Sequence, residues 1–355
     1  MHPRTLTRFI KRKLYDNINL KIRPNSVYSK EYILDFLVYT TTLNNPTITN
    51  GYRHYNKTGR SGRVIHPNTV FYHLYKLKLR EIEKMFEKAN DELLKLARKV
   101  VGREEVEIAI DSTDWLYYGK EVPGVVRIKP REGTSRGFKF MTVNVVEPGL
   151  RFTVAIKPVF EFSDEVKILE ELIEKVRRWF RIRCVYLDRY FFNVKFIAKL
   201  QELGLKFIIP AIKNPKVKRL MEKFDAPTIV RYCMESSNDG RKVYFNLFIV
   251  EAEDGQKIVF ASNYPYYYES VIAEKYKKRW GIETSYRVKS ELRLKTCSRK
   301  YVVRFFMFVL SVLLYNAWIL LNLLYEFFNF LVVFANPVIE AQAFLALVLT
   351  NKLVQ

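Results

Sequence analysis

Residues 305–325 carry no charge, in a chain that holds 60 Lys and Arg and 37 Asp and Glu. So apolar a stretch has two outlets. It crosses a bilayer, for which about 20 residues suffice, or it forms a helix covered on all sides by a large core. Ser311, Asn316 and Asn322 interrupt it and a dense basic segment directly precedes it, which makes a poor membrane span. A buried helix is therefore expected, with no membrane as partner. With 355 residues, 49% of them apolar, the chain can build such a core and accommodate more than one domain.

The net charge of +23 points to a polyanion, with nucleic acid the leading partner. The excess is concentrated: residues 1–100 hold 20 basic against 8 acidic side chains, and residues 275–304 hold 11 against 2. Three cysteines without a CxxC pair, and four histidines all near the N-terminus, argue against a disulfide framework or a structural zinc site. The first residues, MHPRTLTRFIKRKLYDN, lack the apolar stretch of a signal peptide. A reducing cytoplasm, with the chain at the nucleoid, is the expected location.

The hydrophobic period changes along the chain. Residues 1–103 read as a helical DNA-binding domain, with helices over about 30–42, from Pro67 onward and over about 79–101. Pro67 suits a first turn, with Asn68 or Thr69 as cap. Presented on a helix after a Gly-containing loop, Asn68, Thr69, Tyr72, His73 and Lys76 could form the reading face of a helix-turn-helix; an ordinary helical linker is the alternative. From about 105 the pattern is strands: EVEIAID, GVVRIKP, FKFMTVNVVEPG and LRFTVAIKPVF, then a helix capped by Ser163, then RCVYLD, a helix and KFIIPAI. This order fits an α/β fold, a ribonuclease H-like mixed sheet, over residues 104–209. Residues 210–265 read as a β-strand insertion. Residues 266–355 complete the catalytic core with a Glu-bearing helix and C-terminal buried helices.

Three acidic residues stand out. Asp111 closes EVEIAID, Asp188 closes CVYLD, and Glu283 lies within YKKRWGIETSYRVK. Carboxylates at strand ends emerge at a sheet edge, where they can converge on divalent cations for phosphoryl transfer. Asp111 is preferred to Asp114, which is expected in the following turn. Hard ions such as Mg²⁺ favour carboxylates, so histidine is not required. On a continuous helix, Tyr276, Arg279 and Arg287 share the face of Glu283. Lys277, Lys278, Trp280 and Lys289 widen that basic and aromatic surface, suited to DNA phosphates.

These residues resemble the DDE transposases of prokaryotic insertion sequences, of the insertion-sequence four type with the signature Y-x2-R-x3-E-x6-K. Tyr276, Arg279 and Glu283 match its first three members, and AIDSTDWLYYG and LDRYFFN resemble its other acidic motifs. The resemblance implies a ribonuclease H-like fold with strands inserted before the catalytic glutamate. It implies catalysis by Asp111, Asp188 and Glu283 with two Mg²⁺ or Mn²⁺ ions. It also implies cleavage at transposon ends, strand transfer into target DNA, and a homodimer in a synaptic complex on double-stranded DNA. The signature lysine would fall at position 290, where this chain has Ser290. Lys289 is one residue early, a turn of about 100° on an ideal helix, so either it reaches round or Arg287 takes the contact. Alternatives are a domesticated DNA-binding relative without activity and a resolvase-like nuclease of the same fold.

Overall fold

The computed structural model describes residues 1–57, 64–252, 254–264, 269–329 and 337–349. Five helices come first: α1 (Pro3–Asp16), α2 (Lys30–Thr41), α3 (Ile48–Lys57), α4 (Pro67–Tyr75) and α5 (Leu79–Val101). Residues 58–63, part of the expected Gly-containing loop, lie outside the described residues. Pro67 takes the first helical position of α4 because it has no N–H to leave unsatisfied. The cap is therefore the residue before it, His66, whose Nδ1 accepts from Asn68 N, rather than Asn68 or Thr69. Gly102, left-handed at φ 64°, closes α5.

The strands are β1 (Glu105–Leu116), β2 (Val126–Arg131), β3 (Thr134–Val145) and β4 (Thr153–Val159). After α6 (Glu165–Arg177) come β5 (Arg181–Leu187), α7 (Val194–Glu202), β6 (Phe207–Pro210) and α8 (Pro215–Lys223). Asp164, not Ser163, caps α6, because the Ser163 hydroxyl is taken by Phe160 N. Next are β7 (Thr228–Glu235), β8 (Lys242–Glu251) and β9 (Lys257–Ser262), followed by α9 (Glu269–Lys277), α10 (Trp280–Glu291), α11 (Tyr301–Phe328) and α12 (Ala341–Leu349).

Strands β4, β3 and β1 pair antiparallel, while β1, β5 and β6 run parallel, which is the ribonuclease H-like mixed sheet. The hairpin strand β2 lies along the same outer edge of β3 as β4, since Gly137 of β3 pairs with Val126 of β2 on one side and Leu116 of β1 on the other. Beyond β6 the order continues β9-β8-β7. The strands expected as an insertion thus extend the central sheet, and they carry a helix, α8, that their sequence pattern did not signal. Its sequence, PKVKRLMEK, places Val217, Leu220 and Met221 on one face, but this single turn of apolar stripe is short and only Val217 is fully buried, so it stands out little among the strands around it.

Helix α11 contains the uncharged stretch, and 94% of its most apolar window is buried in the protein. α1, α4, α5, α10, α12 and β4 all pack on it. The helices expected as a separate N-terminal domain therefore share one core with the C-terminal helices, because a helix apolar all round needs cover on every side. Its polar interruptions are used. Asn316 donates to Asn90 Oδ1 at 2.6 Å and Thr153 O at 2.8 Å, and accepts from Thr153 N at 3.0 Å. Asn322 accepts from Ile339 N at 2.7 Å.

Candidate active site

The alternation along β1 sends Val106, Ile108 and Ile110 into the main core, and Glu107, Ala109 and Asp111 to the opposite face. On that face Ala109, Cys184 and Tyr186 pack against Ile272 of α9 and Ile282 of α10. β1 does not end at Asp111. It continues to Leu116 because β3 pairs with it throughout, so Asp114 lies in the strand opposite Lys139 rather than in a turn. What does end is the parallel partner: the last β1–β5 pair is Ile110 with Leu187. Asp111 and Asp188 are the next residues on the two strands, at the level where the strands part. Asp188 then caps a single 3-10 turn (Arg189–Phe191), accepting from Tyr190 N at 2.9 Å.

Glu283 comes from α10, which packs through Ile282 on the same face of the sheet. Tyr276 lies in the last turn of α9 and Glu283 in the first turn of α10, so the expected continuous helix is interrupted. Across the junction Lys278, Arg279, Gly281 and Ile282 donate to residues three positions back, a 3-10 tightening. Arg279 keeps the face of Glu283 across the junction, and both Tyr276 and Arg279 turn inward. The Tyr276 hydroxyl donates to Leu187 O at 3.1 Å instead of facing solvent. Arg279 is buried, with Nη2 on Asp111 Oδ2 at 2.9 Å and Nη1 on Glu283 Oε1 at 2.6 Å. Among the described residues its Nε is buried without a partner.

The electrostatics follow from this placement. Burial pushes the Asp111 carboxyl up to about 7; Asp188 and Glu283 add to the rise, while Arg279 and Ser112 N oppose it. Burial also raises the Asp188 carboxyl, against the pull of Arg279 and the backbone of Tyr190 and Phe191. Three carboxylates without nitrogen or sulfur ligands suit a hard, oxygen-seeking cation. The buried guanidinium among them marks a place that calls for positive charge. Among the described residues, however, no three Asp, Glu, His or Cys side chains form a group able to hold an ion. The expected three-carboxylate convergence is altered, because Arg279 cross-links Asp111 to Glu283.

The other expected contacts divide into two sets. Arg287 and Trp280 are exposed, and Lys277 is exposed but paired with Glu274 at 2.6 Å. Lys278 turns inward onto the buried Glu107 at 2.5 Å. Lys289 is no surface lysine: it is buried, donates to Asn144 Oδ1 at 2.9 Å and Ser285 Oγ at 3.0 Å, and lies near the rings of Tyr286 and Tyr315. The helix turns it toward β3, so it does not reach round to a phosphate. In α4, Asn68 and Tyr72 are exposed, Thr69 is half-buried and Lys76 lies over the Tyr72 ring. His73 is buried, on the side of α4 shared with Val70 and Leu74, and cannot read a groove.

The profile of the transposase DDE domain family matches residues 102–317, which include all three carboxylates, Tyr276 and Arg279. The chain belongs to the transposase DDE domain family. No curated protein matches this transposase. Among solved structures it is similar to a piggyBac transposase synaptic complex with hairpin DNA, at TM-score 0.65 and 13% identity, over 97% of this chain and 77% of that one. At that identity the likeness concerns the fold.

Two features of the candidate site escaped sequence reading. Tyr286 of α10 donates to Asp111 O at 3.1 Å and bonds Thr142 Oγ1 at 2.7 Å. Glu107, on the face of Asp111, is buried beside Arg183, Lys275 and Lys278, and its N–H donates to the buried Glu147. The alternation on β1 put Glu107 on that face and was the available signal for it. Tyr286 had none beyond its position three residues after Glu283.

Proposed function

We propose that this chain is a cut-and-paste DNA transposase in which Asp111, Asp188 and Glu283 are the catalytic and metal-binding carboxylates. The observation that carries this is the register: β1 and β5 part after Ile110 and Leu187, so the two aspartates follow at one level of the sheet, with Glu283 tied to Asp111 through Arg279. Two Mg²⁺ or Mn²⁺ ions held there would supply Lewis-acid stabilisation of phosphoryl oxygens and lower the pKa of the attacking hydroxyl.

The chain's own residues do the rest. Exposed Arg287, Lys277 and Trp280 hold the DNA backbone beside the cleft, and Arg279 turns to a phosphate once DNA is present. The buried face under Asp111 and Asp188 keeps both carboxylates from spreading apart. In the first reaction a water oxygen bonds to phosphorus at the transposon end and the bond to the 3′ oxygen breaks, freeing a 3′-hydroxyl. In the second, that hydroxyl attacks a target phosphodiester, whose own 3′ oxygen leaves. No covalent bond to the protein is formed. The partners are double-stranded DNA at both steps and a second copy of the chain to pair the two ends. The setting is the prokaryotic cytoplasm, at the nucleoid. The exposed residues of α4, Asn68 and Tyr72 with Thr69 and Lys76, are the recognition candidates that remain.

The test is metal-dependent nicking and strand transfer on DNA that carries the sequences flanking the gene. Cleavage and joined products that vanish in Asp188→Ala are expected. Cutting of branched or flapped DNA without joining would indicate a resolvase-like nuclease. Binding without any metal-dependent cutting would indicate a DNA-binding relative.

A further inference from the structure

Arg279 occupies an unusual place for a phosphate-binding arginine. Its two terminal nitrogens are spent on Asp111 Oδ2 and Glu283 Oε1. Its Nε is buried with no acceptor among the described residues, although every guanidinium N–H is a donor. An arginine cannot lose its proton to relieve this, and a desolvated guanidinium with an unmet donor is held there only by its carboxylates. Equally, the carboxylates repel one another without a cation. Each side therefore depends on the other until a better partner arrives. The backbone around Arg279 is in the tightened 3-10 form, with Arg279 N on Tyr276 O at 2.9 Å and Ile282 N on Arg279 O at 2.9 Å. Such a segment is often found where a helix re-forms or hinges.

We propose that Arg279 is a cation surrogate, a positioning residue that holds Asp111 and Glu283 together before metal loading and competes with a divalent cation for their oxygens. The proposal rests on the carboxylate reading given under the proposed function. A DNA phosphodiester, singly charged like each carboxylate, offers the guanidinium a bidentate acceptor that can also take up the unmet Nε–H, and so draws it out toward the DNA. Its departure frees Asp111 Oδ2 and Glu283 Oε1. DNA and metal then bind cooperatively, and by linkage each raises the affinity of the other by the same factor. The arrangement would suppress metal loading, and with it unproductive hydrolysis, until substrate is in place.

The test is direct Mn²⁺ binding to the purified, DNA-free full chain, followed by electron paramagnetic resonance of the free ion, with thermal unfolding to verify that each variant is folded. Arg279→Gln, and Arg279→Met which keeps the apolar stem, are expected to bind Mn²⁺ at least about tenfold more tightly than the parent, as when a competent state populated at about 10% becomes dominant. In the unmutated chain, duplex DNA is expected to raise Mn²⁺ affinity by a similar factor, after subtraction of a matched Asp188→Asn sample with the same DNA. Affinity that is unchanged or weaker in the folded Arg279 variants overturns the surrogate role, as does the absence of any DNA effect in the unmutated chain. The two failures are separable. If Asp188→Asn abolishes Mn²⁺ binding while the Arg279 variants match the parent, only the surrogate role falls. If Asp188→Asn leaves Mn²⁺ binding untouched, the carboxylate reading falls first.

Discussion

Tyr286 of α10 donates its hydroxyl to the main-chain carbonyl of Asp111 at 3.1 Å, and the same hydroxyl bonds the side chain of Thr142 at 2.7 Å. Asp111 and Thr142 are opposite each other across β1 and β3. One phenol thus fixes the height of α10 against the strand pair that bears the first carboxylate. Tyr276 does the same for the second, through Leu187 O, so the two tyrosines clamp the α9–α10 junction over the level where the aspartates follow.

Tyr286→Phe should keep the packing and lose only these bonds. A stability loss of about 1–2 kcal/mol is expected, since Thr142 Oγ1 retains Asn144 as a partner. Single-turnover cleavage should slow with little change in DNA affinity, because α10 loses its height reference but none of its surface. Denaturant unfolding and gel-shift titration measure the two effects. Weakened DNA binding at an unchanged cleavage rate would contradict this role.

Asp111 confers a pH dependence whose sign can be worked out. Its carboxyl is pushed up to about 7, burial being the largest cause. From about 4, the ordinary carboxylate value, to about 7 the folded metal-free chain keeps a proton that the unfolded chain has released. Stability contributed by this group is therefore full below that window and is lost as pH rises through it. Asp111→Asn should remove the loss. In chelator-treated protein, its unfolding free energy relative to the parent should rise across the window and level off above it. A difference that stays flat with pH would contradict the assignment.

Lys289 and Arg287 are predicted to behave oppositely. Burial holds the Lys289 ammonium well below its usual value. A depressed lysine costs stability wherever the unfolded chain is protonated and the folded one is not, or must charge a buried amine. That cost fades as pH rises to about 10.4, the unfolded value. Lys289→Met should therefore be neutral or stabilising at pH about 7, since Asn144 Oδ1 still accepts from Thr153 Oγ1. It should leave the salt dependence of DNA binding unchanged. Arg287→Ala should lower the log–log salt slope by about 0.9, the contribution of one phosphate contact. Fluorescence anisotropy over a salt series checks both.

Asn316→Leu tests the core helix. The substitution adds apolar volume to α11 but strips Thr153 N of its acceptor and Asn90 Oδ1 of its donor. A loss of about 2–3 kcal/mol is expected for these buried groups. If the variant proved more stable in denaturant, the Asn90–Thr153–Asn316 contact would not be holding α5, β4 and α11 together.

Much of the fold was legible because it rests on local patterns. The alternation in EVEIAID and CVYLD, the uncharged run in α11, and Pro67 at a helix start each act within a few residues. The site was legible by residue type but not by arrangement. The shared face of Arg279 and Glu283 survives the 3-10 junction, since Arg279 still reaches Glu283 four residues on, but Tyr276 and Arg279 turn onto the sheet, where the expectation was a face open to DNA. Lys278 and Lys289 read as surface charge because lysine usually is. Their destinations, Glu107 and Asn144, lie 171 and 145 residues away.

Local pattern was enough to indicate which segments form strands, which acidic residues stand out on them and that one helix needs cover on every side. These are consequences of side-chain period and hydrophobicity, which act along the chain. Long-range packing set the rest: β1 runs past Asp111, the N-terminal helices join the core of α11, and Arg279 turns onto Asp111, 168 residues away. Strand register, helix tightening and ion-pair choice depend on which surfaces meet in space. In a buried cleft the nearest opposite charge wins a side chain that local pattern would assign to solvent.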